Sequence, residues 1–167
     1  MKRIFSRVLF ILIIPMICPG YVFAAESKLT EKTITLGKVH AEWEMYAPSL
    51  KISPDSSRMA YMARRDKKFA VIENGQLLPP VDGIGKDTPL FSPDSKHLAF
   101  IAKNGAKWHV VLDGKESEGH DSAFVPVFSP DSKRMAYVVR RGDKQHVVID
   151  GNIEKEGFDG IMQKLNS

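Results

Sequence analysis

Residues 91–100 read FSPDSKHLAF, residues 128–137 read FSPDSKRMAY, and residues 52–61 carry a third version, ISPDSSRMAY. One ten-residue phrase is written three times, 39 and then 37 residues apart. Counting from Ile52, Phe91 and Phe128 as position zero, the copies align without gaps beyond position twenty. Positions one to four are Ser-Pro-Asp-Ser each time. Position seven is Met59, Leu98 or Met135, position eight Ala60, Ala99 or Ala136, and position nine Tyr61, Phe100 or Tyr137. Position ten is Met62, Ile101 or Val138, and positions nineteen and twenty are Val71-Ile72, Val110-Val111 and Val147-Val148. Positions twenty-two and twenty-three are Asn74-Gly75, Asp113-Gly114 and Asp150-Gly151. Self-similarity with a period of about 40 residues belongs to repeat architectures.

Each piece of the phrase favours β-structure. Ser-Pro-Asp-Ser is a turn, because proline presets one backbone angle and the short Asp and Ser side chains bond nearby amides. The apolar runs that follow are short, bounded by turn signals and rich in aromatic and branched residues, which suits strands. They do not alternate with polar residues, so both faces must be covered. Asn-Gly and Asp-Gly are strong hairpin signals, since both central residues need positive φ. Asn104-Gly105 adds a reversal within the second copy. Each unit reads strand, Ser-Pro-Asp turn, strand, polar turn, strand, glycine hairpin and a weaker polar strand.

A sheet of about four strands, repeated every 40 residues or so and covered on both faces, describes a propeller blade. FSPDSKHLAFIAKNGAKWHVVLDG (residues 91–114) resembles the WD-repeat-like β-propeller repeats of TolB-type periplasmic proteins, whose phrase is Ser-Pro-Asp-Gly-Lys followed by an apolar strand. Ser stands here where that phrase has Gly. The resemblance covers residues 52–160 and implies an all-β chain of propeller-type blades. Three repeats fall short of the four to eight blades of a closed propeller. The expectation is therefore a partial propeller, as a fragment of a longer repeat array or a capped arc, or half of an oligomeric ring, two copies closing six blades by first-to-third contact. Residues 32–43 (KTITLGKVHAEW) could supply a strand that completes the last blade, or cap the arc. The outer faces of the first and third blades are otherwise left bare. Tyr61, Phe100 and Tyr137 are expected between blades, with Phe100 the deepest.

The ends bear on location. Lys2, Arg3 and Arg7 precede an apolar run at residues 8–17, and Pro19, Gly20 and small residues around Ala24 follow. That order is the order of a secretory signal peptide, residues 1–24, with cleavage before Ala25. An uncleaved anchor would need an apolar run of about 20 residues. Cys18 lacks the small neighbours of a lipoprotein site. The division is then 1–24 signal peptide, 25–50 N-terminal strand segment and 51–167 three-blade domain. The mature chain is expected to be periplasmic or secreted, with no stable membrane span.

The whole chain carries 24 Lys and Arg against 20 Asp and Glu. Removing the leader leaves 21 against 20, a net charge of +1, which gives no support for nucleic-acid binding. The single cysteine leaves with the leader, and with it any disulfide or thiol chemistry.

Among candidate sites, Asp55, Asp94 and Asp131 recur at one position. Calcium wants six to eight oxygens in one place, so each is read as capping its own turn. His109 and His146 share position eighteen without a third ligand and read as edge-strand residues rather than a metal site. Arg64, Lys103 and Arg140 hold position twelve, and Lys68, Lys107 and Lys144 hold position sixteen. These six form a basic rim, either a surface for an anionic ligand or acidic partner or a solvated edge that discourages sheet pairing. No nucleophile elbow, phosphate loop or zinc motif occurs, and no cofactor is implied. The expected function is a non-enzymatic exported binding or scaffold module for a protein or envelope component, with a homodimer as one form. The alternative is an accessory propeller, or subunit, of a hydrolase whose catalytic part lies elsewhere.

Overall fold

The structure, a computed structural model, describes residues 40–160. The expected signal peptide, Cys18 and residues 32–39 lie outside the described residues.

Each repeat forms one antiparallel sheet of five short and long strands. The first holds β1 (Glu44–Met45), β2 (Lys51–Ile52), β3 (Met59–Arg65), β4 (Lys68–Glu73) and β5 (Gln76–Leu77). The second holds β6 (Gly83–Ile84), β7 (Leu90–Phe91), β8 (Leu98–Asn104), β9 (Lys107–Leu112) and β10 (Lys115–Glu116). The third holds β11 (Ser122–Ala123), β12 (Val127–Phe128), β13 (Met135–Arg141), β14 (Lys144–Ile149) and β15 (Asn152–Ile153). The register repeats: Tyr61 opposes Ile72, Phe100 opposes Val111 and Tyr137 opposes Val148. Apart from a 3₁₀ turn at Ala47–Ser49, the described residues contain no helix.

The turn chemistry dictates the strand ends. Both residues of Asn74-Gly75, Asp113-Gly114 and Asp150-Gly151 have positive φ, from 47° to 82°, as a two-residue hairpin turn requires. The side chain at position twenty-two reaches back across the hairpin to accept the N–H at position seven. Those bonds are Met59 to Asn74, Leu98 to Asp113 and Met135 to Asp150, each 2.9 Å.

The first edge strand of each sheet is broken in the middle, so that β6 and β7 both pair with β8 at different heights. Prolines 48, 89 and 126 sit in the three interruptions, where a residue without an N–H is tolerated. In the first two sheets a hydroxyl fills in for the missing strand. Ser49 Oγ accepts from Met62 N–H at 2.8 Å, and Thr88 Oγ1 from Ile101 N–H at 3.4 Å.

The core is layered between sheets. Alternation along a strand sends positions eight, ten and nineteen to one face and positions seven, nine, eleven and twenty to the other. Ala60 and Val71 of the first sheet pack with Leu98, Phe100, Ala102 and Val111 of the second. Ala99, Ile101 and Val110 of the second pack in the same way with Met135, Tyr137, Val139 and Val148 of the third.

Of the segment expected to supply a strand or a cap, residues 40–43 form no strand, and residues 32–39 lie outside the described residues; β1 just after them pairs with β3 of the first sheet. The first sheet's outer face is not bare. Trp43, 4% exposed, packs against Tyr61, Ala63, Ala70 and Ile72. Tyr61 is accordingly 2% exposed, no shallower than Phe100 at 4%.

Candidate binding surfaces and the links between repeats

The Ser-Pro-Asp-Ser turn does two jobs. Within its own turn, Asp55 accepts from Ser53 Oγ, Ser57 Oγ and Ser57 N–H, at 2.7 to 3.0 Å. Asp94 and Asp131 accept from Ser92 Oγ and Ser129 Oγ, each at 2.6 Å, and from the Lys96 and Lys133 amides. These bonds favour the ionised form. Those from Ser53, Ser92 and Ser129 contribute most to holding the three carboxyls below the ordinary aspartate range. The carboxylates are thus spent within their own turns.

The second job joins repeats. Ser56, Ser95 and Ser132 all have left-handed φ, 59° to 66°, which an L-residue adopts at a cost of about 1–2 kcal/mol. The N–H of Asp55 donates to Ser95 Oγ at 3.0 Å, and that of Asp94 to Ser132 Oγ at 2.9 Å. A glycine would relieve the backbone and lose the link. Around this bond, position six of one sheet meets position zero of the next. The Arg58 guanidinium lies 5.1 Å from the Phe91 ring centre and donates to Ser95 O at 2.7 Å, and the His97 ring stacks on Phe128.

The six basic candidates lie around the turns between the two long strands, at the opposite end of the sheets. Lys68, Lys107 and Lys144 bond Asp82, Asp121 and Asp159 at 2.7, 2.6 and 2.5 Å. Asp82 and Asp121 also accept the amides of Gly105 and Gly142 in the following sheet, both at 2.8 Å. Lysine hydrogen bonds lead, and these amides follow, in drawing both carboxyls downward in pKa. Lys68 and Lys107 therefore belong to clasps between sheets, and Lys144 makes the same lysine–aspartate contact without a following amide among the described residues. Arg64 pairs with Glu44 at 3.1 Å, and Lys103 Nζ lies 5.6 Å from the Trp108 ring centre. Arg140 is exposed. Sequence reasoning missed the aspartates of these clasps, although they recur at 39- and 38-residue spacing.

The paired histidines bond backbone in their own sheets. His109 Nδ1 lies 2.9 Å from Ser117 O, and His146 Nδ1 3.3 Å from Glu154 O. Their rings lie over Gly119 and Gly157, where an added Cβ would come within 3.0 and 2.9 Å of the imidazole. Among the described residues no group of three or more His, Cys, Asp or Glu could hold a metal ion, and no helix is long and apolar enough to cross a membrane.

An open cleft of about 400 Å³ lies between the second and third sheets, lined by His97, Leu112, Lys115, Phe128, Arg134 and Tyr137 among others. Among the described residues the outer face of the third sheet is also open. Ala136 and Val147 are half-buried, whereas their equivalents Ala60, Ala99, Val71 and Val110 are buried. Phe158 bridges Gln145 as Val81 bridges Phe69 and His120 bridges Trp108. It is 40% exposed, against 3% for Val81 and 1% for His120.

No protein-family model matches the chain, and no curated protein matches it. Among solved structures, the β-propeller domain of the Trilobed protease from Pyrococcus furiosus, with its open velcro topology, superposes with a TM-score of 0.51. The identity is 15%, over 70% of this chain and 42% of that one. The three sheets are propeller blades. A structure of the eukaryotic initiation factor aligns with a TM-score of 0.46 and 16% identity, over 72% of this chain and 34% of that one. The chain spans less than half the length of either structure.

Proposed function

We propose that the chain is a non-enzymatic, exported binding module of the TolB-type propeller class, whose working surface is the open face of its third blade. One observation carries this reading. Phe158 is 40% exposed where the equivalent Val81 and His120 are buried, so among the described residues the third blade presents a face that the first two blades cover. Exposed contiguous apolar surface of this kind marks interaction sites. The partner is a protein that presents a blade-like apolar face, and a second copy of the chain fits because it carries the same repeat. The basic rim is the weaker candidate, since an acidic ligand there would compete with Asp82, Asp121 and Asp159 for the lysines. The resemblance of residues 91–114 to TolB-type repeats, with the basic and apolar order of residues 1–24, supports a periplasmic or secreted location.

Affinity capture from a cell-envelope extract tests the surface, comparing the chain with its Val147→Asp variant and with a Lys103→Ala/Arg140→Ala variant. A protein partner lost only with Val147→Asp is expected. Loss only with the rim variant would move the site to the rim. A hydrolase domain encoded in frame beyond Ser167 would replace the reading with that of an accessory propeller. Amino-terminal sequencing of the exported chain tests location, with a start at Ala25 expected.

A further inference from the structure

Three kinds of contact recur at each blade boundary, and each leaves an unmatched half at the two ends of the arc. At the third blade, the Asp131 amide has no acceptor in another blade among the described residues, and Arg134 and Phe158 are exposed. Asp159 bonds Lys144 as Asp82 bonds Lys68, but reaches no amide of a following blade among the described residues. At the first blade stand the complementary halves. Ser56 Oγ is exposed and receives no bond from another blade among the described residues, and Ile52, at the position of Phe91 and Phe128, is 49% exposed. Asp66, at the position of Gly105 and Gly142, has the same left-handed φ, 56° against 59° and 58°. Asp131 would donate to Ser56 as Asp55 does to Ser95, and Arg134 would cover Ile52 as Arg58 covers Phe91. Asp159 would reach the Asp66 amide as Asp82 reaches that of Gly105.

The apolar centre between these halves is not free. Against Tyr61, Ala63 and Ile72, Trp43 takes the place that Ala60, Val71 and Val81 take against Phe100, Ala102 and Val111. It stands in for a preceding blade. The fit is imperfect, because the buried Trp43 Nε1–H finds no hydrogen-bond partner among the described residues, and a buried donor without an acceptor destabilises its site. Beyond this packing, and before the chain enters β1, the described contacts of the segment are a 2.9 Å contact of His40 Nε2 with Gly75 O, a Glu42–Arg65 ion pair at 3.9 Å and the Arg65 guanidinium 4.9 Å from the indole. Trp43 covers the centre and leaves the periphery, Ser56 and Ile52, exposed.

We infer that Trp43 is a displaceable cap on the first blade, and that the third blade of a second copy takes its place to close a two-chain ring. This rests on the third blade's open face being the binding surface. Release of the cap frees the indole N–H to meet water, and docking matches the three half-links at each of the two junctions. The cap thereby sets how readily two copies join, since each junction must first lose it.

Light scattering on the full chain across a concentration series tests this, with Trp43→Ala, Trp43→Phe and Val138→Asp. Trp43→Ala is expected to tighten self-association at least tenfold. Trp43→Phe, which keeps the ring and removes the orphan donor, is expected to weaken it. Val138→Asp, on the open third face, is expected to abolish association in either background. Should Trp43→Ala fail to fold, His40→Ala loosens the segment with the indole intact and carries the same expectation. With Trp108 replaced by Phe, Trp43 emission should shift to the red as the dimer forms. A folded Trp43→Ala chain that associates no more tightly than the parent overturns the cap. If Val138→Asp still abolishes the parent's association, the docking face stands without the cap. Association indifferent to Val138→Asp removes the docking face itself.

Discussion

The backbone N–H of Asp55 donates to the hydroxyl of Ser95, 3.0 Å away and 40 residues along the chain. The same bond runs from Asp94 to Ser132 at 2.9 Å. One phrase therefore acts as donor in one blade and acceptor in the next. The acceptor is the serine that stands where TolB-type repeats have glycine. Its left-handed backbone is strained, and the hydroxyl offsets that cost by tying two blades together.

Ser95 and Ser56 separate the two effects. Both have left-handed φ, 66° and 61°, so Gly relieves strain at both, while only Ser95 loses a link between blades. In dilute monomer, Ser95→Gly should therefore be less stable than Ser56→Gly by about 1 kcal/mol, the usual net value of one hydrogen bond. Urea denaturation of both variants measures the difference, and equal midpoints would remove the link.

Phe100 lies in the layer between the first two blades with Ala60, Val71 and Val81. Truncating a buried phenylalanine leaves a cavity that its surroundings only partly fill. Phe100→Ala should cost about 3–5 kcal/mol, read from the denaturation midpoint. An unchanged midpoint would contradict the layer assignment.

Stability should fall with acid in two stages. Burial, and then the Arg141 charge, hold the His120 pKa below its ordinary value, so the unfolded chain binds the proton more readily. Its contribution is full above the unfolded value of about 6.5 and declines below it. Asp55, Asp82, Asp94, Asp121, Asp131 and Asp150 are all held below the ordinary range by hydrogen bonds. Their contribution is full above about pH 4 and is lost as pH falls further. Urea midpoints from pH 7 to 2 should show both stages, and His120→Val, which copies Val81, should abolish only the first. A midpoint level between pH 7 and 5 in the parent would contradict the role of His120.

Much of the fold was legible because the repeat is a physical statement made three times. Ser-Pro-Asp-Ser, the apolar strand and the glycine hairpin each carry a local conformational demand, and each was met. The broken edge strand was not legible, since two-residue pieces such as Gly83–Ile84 have no periodicity to read. A cap from residues 32–43 was among the expectations, but which residue serves was not legible because Trp43 acts through a single indole rather than through a pattern. The basic rim was visible as recurring lysines. Their role was hidden because Asp82 and Asp121 lie in the connections after the hairpins, where only the fold brings them to Lys68 and Lys107. The serine at position four stands out against the TolB-type phrase that the repeat resembles. Its partner in the neighbouring blade depends on packing that no single copy contains.

Amide hydrogen exchange at Asp55, Asp94 and Asp131 tests most directly whether the blades are joined through their repeated turns. All three amides occupy the same place in the same turn, so local structure alone would protect them equally. In dilute monomer, Asp55 and Asp94 should be protected by Ser95 and Ser132, while Asp131 should exchange much faster. Equal protection at all three, or rapid exchange at Asp55 and Asp94, would contradict the links between blades.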